Sequence, residues 1–177
     1  MKHRNICLAL LTSSLLLASV AQAATVTGQV NSSLVLTSAC MVNGASGTTG
    51  LNFGSLNFGT VTALFTQVNA QVIGGGGGAV SILCSSGVVP VLRVGAGSHD
   101  GQSSGGIRAL ADGAGNYIAY DLYADSGTSN VLAVDATITF PTSTGVAQTV
   151  NIYGKALGKA GLPIGRYTDT VAVELSF

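Results

Sequence analysis

Apolar side chains recur at every second position along much of this chain. Val26, Gly28, Val30, Ser32, Leu34 and Leu36 share one parity, and Thr25, Thr27, Gln29, Asn31 and Ser33 hold the other. Cys40 continues the first parity. Val80, Ile82 and Cys84 alternate with Ser81, Leu83 and Ser85, and Val171, Val173, Leu175 and Phe177 alternate with Thr170, Ala172, Glu174 and Ser176. Successive strand side chains point to opposite faces, so a two-residue period marks a strand buried on one side. No stretch of ten or more residues carries a convincing 3.6-residue period. Further strands are predicted over 88–94, 117–123, 136–140 and 148–153. Gly, Ser, Asn and Asp clusters at 74–78, 95–106, 125–130 and 143–145 separate them. Seven or so such strands predict an all-β chain folded as one antiparallel sandwich of immunoglobulin type.

The first 23 residues read differently. Lys2 and Arg4 precede an apolar run over 6–20, and Ala21-Gln22-Ala23 supplies the small-x-small pattern of signal peptidase cleavage. This predicts a secretory signal peptide over 1–23. Its removal takes Cys7 away and leaves Cys40 and Cys84, both on the apolar parity of their strands. An exported chain meets oxidising conditions, so these two are expected to form a disulfide. Charged residues are only 8% of the chain, with 7 basic against 7 acidic. That balance gives no basic field for nucleic acid, and the low charge excludes a coiled coil or helical bundle.

Catalytic and ligand-binding patterns are sparse. His99 sits beside Asp100 in a Gly/Ser-rich stretch and reads as part of a solvated loop. No G-x-S-x-G motif accompanies it. Asp100, Asp112, Asp121 and Asp125 are scattered rather than gathered in one calcium loop. One histidine and two disulfide-committed cysteines make no zinc set. The five glycines at 74–78 precede an apolar strand with no Lys nearby, so they read as a strand connection and not a phosphate loop. Tyr117, Tyr120 and Tyr123 do not share one strand face and read as packing residues. No enzyme activity, cofactor or metal is expected.

The two ends carry the functional signal. The strand over 171–177 is the last one, where an immunoglobulin sandwich ordinarily adds another. Its neighbouring groove is expected to be open, which is an aggregation hazard unless filled. At the other end, 24–31 is strand-like and surplus to a first sandwich strand over about 32–40. A sandwich domain over 32–177 that lacks one strand and carries a spare predicts strand donation between molecules. No Gly or Pro turn separates the spare segment from the first strand, which favours donation over folding back. The competing reading is a self-complemented secreted binding or coat protein that does not polymerise.

Five stretches, in order, carry a family resemblance: Thr27-Gly28-Gln29-Val30, Phe53-Gly54-Ser55-Leu56-Asn57-Phe58-Gly59, Tyr120-Asp121-Leu122-Tyr123-Ala124-Asp125, Ile152-Tyr153-Gly154, and Gly165-Arg166-Tyr167-Thr168-Asp169-Thr170-Val171. With both cysteines in place, the chain resembles the spore coat protein U domain family, and within it the major pilins of archaic, Csu-type chaperone–usher pili. The resemblance implies an incomplete sandwich to which a periplasmic chaperone lends a strand. An outer-membrane usher then exchanges that strand for the amino-terminal segment of the next subunit. Carried over here, Val26, Gly28 and Val30, with Ser32 and Leu34, are the donor residues, and Gly28 suits a shallow pocket. Val171, Val173, Leu175 and Phe177 line a wall of the acceptor groove, and the terminal carboxylate offers an anchor to basic chaperone residues. The Cys40–Cys84 bridge ties the first two core strands before a partner arrives. The implied partners are copies of itself, the chaperone, the usher, minor subunits and a tip adhesin. The implied setting is the extracellular cell surface, in adhesion and biofilm formation.

Overall fold

The structure, a computed structural model, describes residues 24–177. The expected signal peptide lies outside the described residues. The chain divides into two units, with the boundary between Val35 and Leu36. Residues 24–35 carry no strand, and their side chains are exposed. The second unit, Leu36–Phe177, is all-β, with no helix among the described residues.

Twelve strands run in chain order: β1 (Cys40–Val42), β2 (Ala45–Ser46), β3 (Ser55–Leu56), β4 (Gln67–Ile73), β5 (Val80–Cys84), β6 (Val91–Gly97), β7 (Arg108–Ala111), β8 (Tyr117–Tyr123), β9 (Ala136–Thr139), β10 (Gln148–Val150), β11 (Tyr153–Leu157) and β12 (Val171–Ser176). They form sheets of order β10-β5-β1-β2, β3-β4-β11-β8-β7 and β12-β6-β9. Every pairing between them is antiparallel.

The two-residue period places the core. On β5, Val80, Ile82 and Cys84 are buried while Ser81 and Leu83 are half-buried. Leu92 and Val94 of β6 and Val42 of β1 are buried beside them. Between its neighbours β11 and β7, β8 is covered on both faces. Ile118, Tyr120 and Leu122 join the core while Ala119 and Tyr123 are buried on the other side. Cys40 and Cys84 are direct partners in the β1–β5 register, and their sulfurs are bonded.

Several expected boundaries move. The strand expected over about 32–40 is absent as such, because the backbone ladder begins only where Ser85 N donates to Ala39 O (2.9 Å). The strand expected over 88–94 runs instead from Val91 to Gly97. Pro90 has no N–H to add to a ladder, and 95–97 belong to the strand rather than to a separator. The stretch 148–153 serves two sheets, β10 pairing with β5 and β11 with β4 and β8. Neither β4, Gln-Val-Asn-Ala-Gln-Val-Ile, nor β7, Arg-Ala-Leu-Ala, is distinguished in the sequence, since Ala, Gln and Asn have weak strand preference. Pairing with β11 and β8 selects them. The glycines at 74–78 do connect two strands, through Gly74 N to Gly78 O (2.7 Å) and Gly77 N to Gly74 O (3.0 Å).

Arg108 of β7 has no solvent exposure. Its guanidinium donates to Leu132 O (2.8 Å) and to Gly95 O (2.9 Å). A buried charge is tolerated only where hydrogen bonds replace water. Here two such bonds tie β7 to β6 and to the connection before β9, while the buried Nε has no partner.

Candidate functional site

Within the Leu36–Phe177 unit the core opens into a groove of about 1010 Å³. Its floor is made of core side chains, among them Val80, Leu92, Val94, Ile118, Leu122 and Ile152. Protein interiors normally close to crystal-like packing, so a space this large over core residues is the candidate site.

One wall is the unbroken stretch 51–61. It contains a near-tandem repeat, Leu51-Asn52-Phe53-Gly54 followed after Ser55 by Leu56-Asn57-Phe58-Gly59. Each asparagine turns the chain in the same way, Asn52 Oδ1 accepting from Gly54 N and Asn57 Oδ1 from Gly59 N, both at 2.8 Å. Such Asx turns mimic a backbone turn. Between them β3 pairs with Val72 and Ile73 of β4. Gly54 has φ +135°, and a Cβ there would lie 2.6 Å from Ile73 O. Gly154 of β11 lets Leu56 and Phe58 lie against the sheet, because a Cβ would collide with both side chains.

The lining also includes residues 165–171 and Val173. β12 is an edge strand, hydrogen-bonded to β6 alone. Val171, Val173 and Leu175 are half-buried and packed on the core, while Ala172, Glu174 and Ser176 are exposed. On the outer face Arg93 bridges Glu174 (Nη2 to Oε2, 2.6 Å) and Asp135, and both carboxylates hold its pKa above the ordinary value.

Within 165–171 lies a buried carboxylate. The Asp169 side chain is 1% exposed. Its Oδ2 accepts from Tyr120 OH (2.7 Å), and its Oδ1 accepts from Ser98 N (2.9 Å) and lies 3.0 Å from His99 Nδ1. Burial first, and Asp169 second, push the Tyr120 hydroxyl pKa well up. His99 is therefore not part of a free solvated loop, as its Gly/Ser-rich surroundings predict. It is fastened to Asp169, seventy residues away in sequence. The Ser98 hydroxyl donates to Thr170 O (3.2 Å) and not to His99, so the neighbours form no nucleophile–base pair. Among the described residues no three His, Cys, Asp or Glu side chains gather as a metal set. The other acids hold local backbone: Asp121 accepts from Ile107 N, Asp112 from Ala114 N, and Asp125 from Asn130 N.

The residues expected at the site are distributed as follows. Val171 and Val173 line the groove, Leu175 packs half-buried along the same strand, and Phe177 is 52% exposed beyond it. Val26 and Val30 are almost fully exposed, Leu34 is 83% exposed, and Gly28 and Ser32 lie in the same strandless segment. The sequence reading assigns neither the 51–61 wall nor the Asp169 cluster to the site. The tandem Leu-Asn-Phe-Gly repeat is a signal that could have marked the first. Asp169 and Tyr120 each lie in a stretch that carries the family resemblance, but nothing local ties them to Ser98 and His99, which meet them only in three dimensions.

The sequence profile of the Spore Coat Protein U domain matches residues 26–174. Protein U of Myxococcus xanthus is 27% identical over 169 residues, covering 93% of this chain and 92% of that protein. A solved structure also aligns with it: the CsuC–CsuE chaperone–tip adhesion subunit pre-assembly complex from archaic chaperone-usher Csu pili of Acinetobacter baumannii. Its TM-score is 0.44 and its identity 18%, covering 80% of this chain and 40% of that chain. With a profile match along nearly all of residues 24–177, in a chain whose second unit is all-β and antiparallel, this protein belongs to the Spore Coat Protein U domain family.

Proposed function

We propose that this protein is a structural, non-enzymatic subunit of an extracellular chaperone–usher pilus, assembled by strand donation between copies and serving surface adhesion and biofilm formation. The observation that carries the reading is the open apolar groove beside the free edge of β12. An edge strand next to a groove lined by half-buried apolar residues such as Val68, Val72 and Leu110 is a template for an added strand. The occupant it fits is residues 24–34 of a second copy. That segment alternates apolar and polar residues, and it carries exposed Val26, Val30 and Leu34 with no strand ladder of its own. Inserted, it adds main-chain hydrogen bonds to β12 and buries its apolar side chains. Burial is worth about 25 cal/mol per Å² of apolar surface, so several such side chains make the exchange strongly favourable.

Before a neighbour arrives the groove needs a temporary occupant, the role of a periplasmic chaperone, with an outer-membrane usher as the place of exchange. The Cys40–Cys84 bridge suits this path, since it holds β1 to β5 independently of the groove. Deletion of residues 24–31 tests the reading. The expected product is a subunit that still co-purifies with its chaperone and forms no fibre. Fibres of normal length from the deleted chain would overturn it.

A further inference from the structure

The strand-donation reading leaves open where along β12 the donated segment sits, and we propose that one register is selected by Ser32 lying opposite Asp169. The inference rests on that reading.

Alternate residues along 167–175, of which only 171–175 lie in β12, are Leu175, Val173, Val171, Asp169 and Tyr167, and all but Leu175 line the groove. The donated segment presents Val26, Gly28, Val30, Ser32 and Leu34. Each series has one hydrogen-bonding residue of short reach, and in both it is the fourth. Run antiparallel, as all strand pairs of this fold do, the two match when Val26 meets Leu175. Val30 then meets Val171, Ser32 meets Asp169, and Leu34 meets the half-buried ring of Tyr167. Antiparallel pairing is also slightly the more stable per residue.

Neighbouring registers fail on chemistry. Sliding the segment two residues so that Val26 meets Phe177 puts Leu34 on Asp169 and Ser32 on Val171. Sliding it the other way, so that Val26 meets Val173, puts Val30 on Asp169. A one-residue slip turns Thr27, Gln29 and Asn31 toward the core instead. In the matched register, directly opposed Cβ atoms are about 4.5–5.5 Å apart. Asp169 Oδ2 accepts one hydrogen bond, from Tyr120, and a carboxylate oxygen has room for a second. The Ser32 hydroxyl supplies that donor, where a Val or Leu covers the carboxylate and offers none. Asp169 thus acts as a positioning residue, held by Ser98 and His99.

Disulfide trapping in assembled fibres tests the register. Val26→Cys is combined in turn with Val173→Cys, Leu175→Cys and Phe177→Cys in the exported chain, whose Cys40 and Cys84 are already bridged. A reducible ladder on electrophoresis is expected from the Leu175→Cys pair alone. A ladder from either other pair, or fibres with no cross-link from any pair, would overturn the register while leaving strand donation intact. Failure of the unsubstituted chain to form fibres would overturn strand donation as well. Two single variants cover the case in which the cysteine pairs do not assemble. Ser32→Thr should leave fibre resistance to denaturant unchanged, and Ser32→Val should lower the fraction of intact fibre about tenfold or more, the loss of a charge-assisted hydrogen bond. Equal resistance of Ser32→Val and the parent would refute the role of Asp169.

Discussion

Replacing both Cys40 and Cys84 by alanine should remove a large part of the stability of the Leu36–Phe177 unit. The bridge joins residues 44 apart in sequence. Constraining a loop of that length in the unfolded chain contributes about 4 kcal/mol at 25 °C in the chain-entropy relation, close to three decades in the folded-to-unfolded ratio. The structure shows why little else compensates. β1 has three residues, and its flanks are held by Ser85 N to Ala39 O (2.9 Å) and Asn43 N to Ser81 O (2.8 Å). Both cysteines are buried, so the alanines also leave a small void. Urea unfolding of residues 24–177, followed by tyrosine fluorescence because the chain has no Trp, reads the effect. With a denaturant slope of about 2 kcal/mol per M, the midpoint should fall by about 2 M. A shift below about 0.5 M would refute the reasoning, since the unfolded chain would then be as restricted without the bridge as with it.

Three further outcomes are expected. Arg108→Ala strips the donors from two buried carbonyls, Leu132 O and Gly95 O, and should cost about 3–5 kcal/mol in thermal or urea unfolding; a loss below about 1 kcal/mol contradicts the assigned role. Gly158→Ala drives a Cβ into Phe65 O and threatens the Gly158 N to Thr66 O bond (2.8 Å), so amide exchange at position 158 should accelerate while that at β5 stays unchanged. Tyr120 keeps its proton in the folded state to higher pH than in the unfolded state, through burial and Asp169; its contribution is complete below the unfolded value of about 10 and is lost as pH rises above it. Stability should therefore fall from about pH 10 upward, and more shallowly in Tyr120→Phe.

The legible parts of the fold include strands with one face buried along their whole length. At 80–84 and 171–176 the alternation in the sequence is the alternation in burial. The illegible parts take their conformation from a partner. Gln67–Ile73 is a strand because β11 lies beside it, and the stretch 148–153 divides between two sheets for the same reason. Residues 24–34 show the converse. They carry a strand pattern and no strand, since the pattern states a preference that only a paired neighbour satisfies.

By itself the sequence determined the all-β class, the cysteine pair and the parity of the residues that face the core. Each depends only on local period or on counting. Tertiary structure alone decided which residues line the groove beside β12. It also brought the 51–61 stretch to the groove, tied His99 to Asp169, and let an arginine be fully buried. These features depend on which distant segments meet, and on whether enough hydrogen-bond partners meet there to replace water.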